Sequence, residues 1–217
     1  MTSTYTATLT LATGAVLVCA VVVLWVSSVR SVLRVVAIQG VALGCVAMTL
    51  GVHVGDAGLI ATAAVELTVK GLVIPMLIGK AAGGAVDRER RPLINVPASL
   101  VASAVLIVVA FAAARGVASF VGETNGALVP VGVATLLVGF LVLVSRRRPV
   151  FQMAGLLLVD NGVAVVAFLC TAGVPFLIEL GGSLDVLLGV VILVVLAQRL
   201  RSEFGDVGLD ELRELHD

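Results

Sequence analysis

Charge is what this sequence lacks most. Only 13% of its 217 residues are Asp, Glu, Lys or Arg, and 14 basic residues cancel 14 acidic ones. Soluble domains carry about twice that share. A net charge of zero provides no basic field, which argues against nucleic acid as a partner. Cysteine is also scarce. Cys19, Cys45 and Cys170 each stand alone in an apolar run, with no C-x-x-C pair, and read as helix-packing residues. Three scattered thiols exclude an iron–sulfur cluster or a four-ligand zinc site within the chain, so no cofactor is expected. The N-terminus has no basic start of the kind that opens a signal peptide, so the first apolar run is expected to be retained as a helix.

What the sequence does have is apolar surface. Hydrophobic residues make up 60%, against about 45–50% in soluble domains. A water-soluble fold needs a polar exterior that this composition cannot supply. A bilayer removes the need. Seven spans of about 20 residues would use roughly 140 residues. The expected fold is an all-α membrane protein with one transmembrane domain, residues 1–201, and a cytoplasmic tail, residues 202–217.

Seven apolar stretches run near 7–28, 32–52, 57–79, 94–114, 127–144, 149–171 and 174–200. Turn chemistry separates them: Ser27-Ser28, Gly55-Asp56, Gly83-Gly84 with a charge run to Pro92, Gly122 to Gly126, and Arg146 to Pro149. In lipid, stretches of this length must be helices, because each backbone N–H needs a partner within its own segment. The loops after spans 1, 3, 5 and 7 hold Arg30, Arg34, Lys80, Arg88, Arg90, Arg91, Arg146, Arg147, Arg148, Arg199, Arg201 and Arg213, which is 12 of the 14 basic residues. The positive-inside rule then predicts the N-terminus outside and the C-terminus in the cytoplasm, in the cell's inner (plasma) membrane. Such an arrangement requires an odd number of spans. The acidic tail, with Leu209, Leu212 and Leu215 spaced by three, reads equally as a solvated segment or a short docking helix. The order of helices and turns also suggests parallel three-helix repeats, residues 1–82 and 127–201, joined by helix 94–114.

Several charges fall where charge is expensive. Glu66 and Lys70 lie near the midpoint of span 3, where each charge costs about 2.5–3.5 kcal/mol on insertion scales. Their i, i+4 spacing places them on one helix face with Glu on the N-terminal side, the favourable order. Pro75 removes an N–H and should kink the helix, freeing the Gly71 carbonyl. Two readings are open: a proton relay or gate, and a neutralised pair that locks packing. Asp160 lies near the midpoint of span 6, where a lone carboxyl needs a cation; Lys70 is a candidate partner. Asn161 and Gln152 could hydrogen-bond nearby, but neither would neutralise it. Asp185 in span 7 is 14 residues before Arg199, roughly 21 Å from the inner end at 1.5 Å per residue. Glu179 lies further out, beside Gly181-Gly182. Gln39 in span 2 is expected to bond a neighbouring helix, Gly40-x-x-x-Gly44 to permit close helix approach, and His53 to lie at the outer surface, with proton entry as its alternative role.

The stretch Thr62-Ala-Ala-Val-Glu66-Leu-Thr-Val-Lys70-Gly-Leu-Val-Ile-Pro75, with Val159-Asp160-Asn161-Gly162 and Glu179-Leu-Gly-Gly-Ser-Leu-Asp185, resembles the hydrogenase-4 component E family. These are membrane subunits of group 4 nickel–iron hydrogenases and formate hydrogenlyase complexes. The resemblance covers nearly the whole chain. Asp160 stands where the family often has Glu, which keeps the carboxyl and shortens its reach. The family is similar in turn to the K subunit of bacterial complex I, a three-helix protein with mid-membrane acids in its second and third helices. By position, Asp160 and Asp185 would stand for those acids, with Gln39 and Glu66 in a divergent first copy.

The resemblance implies a non-catalytic subunit of a hydrogenase-like or complex I-like oxidoreductase assembly. Other membrane and peripheral subunits would be its partners and would hold the redox centres. Glu66, Lys70, Asp160 and Asp185 would form a path for proton translocation. Two other functions suit the same residues: an independent secondary transporter or cation/proton antiporter, and an assembly scaffold with no proton role.

Overall fold

The computed structural model describes residues 2–81, 94–118, 121, 123–171, 187, 189 and 191. Among these, the regular elements are helices. They are α1 (Thr2–Trp25), α2 (Val29–Val54), α3 (Ala57–Thr68), a π-helical turn (Val69–Val73), α4 (Ile74–Ala81), α5 (Val96–Ala113), the short α6 (Arg115–Ala118) and α7 (Glu123–Gly126), α8 (Val129–Ser145) and α9 (Pro149–Thr171). Six helical segments among the described residues are long and apolar enough to cross a membrane, with α3, the π turn and α4 forming one of them. Most of the seventh expected span, near 174–200, lies outside the described residues, as do Glu179, Asp185 and the tail 202–217.

The turns are built from the residues that punctuate the sequence. Ser28 is extended and its side chain accepts the Ser31 N–H at 3.2 Å, which starts α2. Gly55 ends α2 in the left-handed region at φ 77°, a conformation that a residue with a Cβ rarely adopts. The next residue, Asp56, accepts the Gly58 and Leu59 N–H groups and so starts α3. One glycine and one aspartate therefore reverse the chain. Asn95 caps α5 in the same way, accepting from Ala98 N at 3.1 Å.

Helix α2 lies at the centre, packed against α1, against α3 with its π turn and α4, and against α9. Helix α8 packs against α9, α5 and α1. Helix α5 is peripheral, with Val101, Val105 and Val108 facing outward.

Two ends of the bundle can be told apart. At one, the Tyr5 ring stacks on His53 with centroids 3.8 Å apart, and the Tyr5 hydroxyl donates to Asn125 Oδ1 at 2.8 Å. At the other, buried Arg146 donates to the Val23 and Leu24 carbonyls at the end of α1, at 3.0 and 2.5 Å. Its guanidinium also lies 5.1 Å from the Phe151 ring centre. An apolar cluster of Val29, Val32, Val36, Ile74, Ile78 and Phe151 brings the end of span 3 to that same end.

Candidate functional site

Span 3 is not a plain α-helix. Between Val69 and Val73 the Ile74 N–H reaches the Val69 carbonyl, the i→i+5 pattern of a π turn. Pro75 follows directly and has no N–H to return, so the turn before it has slack in its hydrogen bonding. The buried series Glu66, Lys70, Ile74 and Ile78 is spaced by four. An α-helix repeats every 3.6 residues, so such a series creeps around its surface. A wider turn takes back part of that creep and keeps the four on one side.

The π turn seats Lys70 in the bundle interior. Its ammonium lies 3.0 Å from Glu66 Oε2 and 2.5 Å from Asp160 Oδ2. The Glu66 side chain is 0% exposed, that of Lys70 3% and that of Asp160 23%. Three candidate residues are thus brought together, two from span 3 and one from α9, 90 residues further along the chain. One cation between two carboxylates lowers the cost of placing each of the three charges inside.

Beside this triad runs a chain of amides. Gln39 of α2 is fully buried; its Nε2 donates to the Val16 carbonyl of α1 at 2.9 Å. Asn161 Nδ2 donates to Gln39 Oε1, also at 2.9 Å. Asn161 therefore bonds across to α2, and Gln152 donates instead to the Arg146 carbonyl at 3.1 Å. The expected link from Gln39 to a neighbouring helix is present twice over, to α1 and to α9.

Gly40 explains how α2 gets so close. A Cβ there would lie 2.6 Å from the Lys70 carbonyl carbon and 2.7 Å from Gly71 N, inside any real contact distance. At Gly44 a Cβ would lie 3.0 Å from that of Leu67. The glycine pair therefore faces span 3 and sets its approach. A second pair of surfaces uses glycines seven apart. Gly132 and Gly139 of α8 meet α9, and Gly155 and Gly162 of α9 meet α8, where a Cβ on Gly162 would lie 2.5 Å from Leu136 N.

Sequence reasoning missed the Gln39–Asn161 bridge, the glycines of α8 and α9, and the Arg146 tie to α1. The seven-residue glycine spacing was the available signal for the second of these. His53 is exposed, as a surface histidine should be, but its ring is engaged by Tyr5. Among the described residues there is no group of His, Cys, Asp and Glu able to hold a metal ion.

With this geometry in view, the chain can be set beside known proteins. It is 40% identical over 208 residues to "Uncharacterized protein Rv0085" of Mycobacterium tuberculosis, covering 95% of this chain and 94% of that protein. The chain belongs to that protein's family. A shorter similarity, 31% identity over 85 residues and 39% of each chain, links it to "Hydrogenase-4 component E" of Escherichia coli strain K12, and the same holds for that of Shigella flexneri. No family model matches the chain, and no solved structure does.

Proposed function

We propose that this chain is a membrane subunit of a hydrogenase-like or complex I-like redox assembly and that Glu66, Lys70 and Asp160 carry protons at mid-membrane. One observation carries the reading: a buried ammonium held between two carboxylates from distant parts of the chain. Ionisable groups at such depth are costly and default to ion or proton pathways. A small shift of Lys70 toward one carboxylate leaves the other to take up a proton, so the pair of carboxylates can be loaded in turn. The partial similarity to hydrogenase-4 component E supports the setting in a multisubunit membrane complex.

On this reading the chain crosses the plasma membrane seven times, with its N-terminus outside and its C-terminus in the cytoplasm. Asp185 of span 7 continues the path, and the three-helix repeats 1–82 and 127–201 are part of the same proposal. The chain is not an enzyme by itself; partner subunits hold the redox centres.

The test is substitution in the intact assembly. Asp160→Ala and Glu66→Ala should abolish coupled proton movement while the complex still assembles in mild detergent. Normal pumping by both variants would sink the relay. A π turn and proline in mid-span also suit the broken helices of secondary transporters. Ion flux by the purified chain alone in lipid vesicles would favour that second reading.

A further inference from the structure

The two partners of the inter-helix ion pair are both registered to one dipeptide of α2. Gly40 lies against the backbone of Lys70, so closely that a methyl group would overlap the Lys70 carbonyl. Gln39, the adjacent residue, holds the amide of Asn161, the residue next to Asp160. Successive residues of a helix point about 100° apart. Asn161 bonded to α2 therefore leaves Asp160 turned toward span 3, where Lys70 lies. The bridge is anchored at its far end on the Val16 carbonyl, so α1, α2 and α9 are tied through one side chain. Asn161 Oδ1 is buried and makes no hydrogen bond among the described residues, so its amide is held only from the Gln39 side.

We infer that Gln39 and Asn161 are positioning residues that fix the rotation of α9 and hold Asp160 against Lys70, with Gly40 fixing the Lys70 side of the same contact. The inference deepens the proposed function and rests on the triad being the working site. It does not depend on proton flux, so the two can fail separately.

The experiment uses the full chain in lipid nanodiscs and dicyclohexylcarbodiimide, an apolar reagent that attacks protonated carboxyls in membranes. The adduct on Asp160 is followed over time by mass spectrometry. Asp160 paired with Lys70 should label slowly, and Lys70→Met should set the fast limit. Gln39→Leu should raise the rate severalfold toward that limit. Gln39→Glu should label at the original rate, because a neutral carboxylic acid still accepts from Asn161 and donates to Val16. If Gln39→Leu does not fold, Asn161→Ser removes the same bond and is read in the same way. Labelling at the original rate in folded Gln39→Leu or Asn161→Ser would overturn the positioning role. An unchanged rate in Lys70→Met would overturn it too, and would tell against the ion pair itself.

Discussion

Lys70 is the residue on which the interior depends most. It faces Glu66 and Asp160 at 3.0 and 2.5 Å with only 3% of its side chain exposed. Removing one member of a buried ion pair leaves an uncompensated charge, at a cost of about 3–5 kcal/mol. Lys70→Met should therefore lower stability by an amount of that order, read from unfolding of the purified protein in detergent. Adding Asp160→Asn to Lys70→Met should recover part of the loss, because the stranded charge goes with it. A double variant whose loss equals the sum of the Lys70→Met and Asp160→Asn losses would show that the Lys70–Asp160 contact carries no coupling energy. The sequence made Glu66, Lys70 and Asp160 visible because charge in an apolar run is expensive wherever the chain folds. It did not make their pairing visible, since a contact across 90 residues is decided by packing. Gln39 is the sharper case: one buried amide in span 2 has several helices to bond, and only the assembled bundle selects Val16 and Asn161.

Among the elements, glycine decides which helices touch. At Gly40 and Gly162 an added Cβ would lie 2.6 and 2.5 Å from backbone atoms of the facing helix, which cannot step aside as a flexible side chain can. Overpacking of this kind costs about 1–3 kcal/mol. Gly40→Ala and Gly162→Ala should each destabilise the protein by that amount in thermal unfolding. Gly14→Ala, where a Cβ would meet nothing within 4 Å, should cost nothing. Equal losses at all three positions would mean that close approach does not set the effect, since helix propensity alone favours Ala over Gly. Helix limits were legible to differing degrees for physical reasons. Helix α9 starts at Pro149 as expected, because three arginines and a proline fix its start. Helix α1 begins at Thr2 rather than near residue 7, since Thr and Ser look polar in a hydropathy scan yet continue a helix. The π turn left no sequence signal beyond Pro75, because its register answers to the spacing of buried residues in three dimensions.

For the whole molecule, the ends of the bundle sort by charge. The Arg146 ties to Val23 and Leu24 place the α8–α9 turn beside the α1–α2 turn. Arg30, Arg34, Arg147 and Arg148 flank those two turns. The opposite end carries the Tyr5, His53 and Asn125 contacts, near the Gly55-Asp56 turn. Basic residues near short turns are retained on the cytoplasmic side, so the first end should face the cytoplasm. This can be read from single cysteines placed in a background where Cys19, Cys45 and Cys170 are replaced by Ala. A membrane-impermeant maleimide added to intact cells should label Asp56→Cys, which sits on an exposed turn. It should reach Ser27→Cys and Arg147→Cys, both exposed at the other end, only after the membrane is opened. Labelling of Ser27→Cys from outside would reverse the orientation. Labelling of Ser27→Cys and Arg147→Cys from opposite sides would contradict the bundle itself, because Arg146 cannot cap α1 across a bilayer.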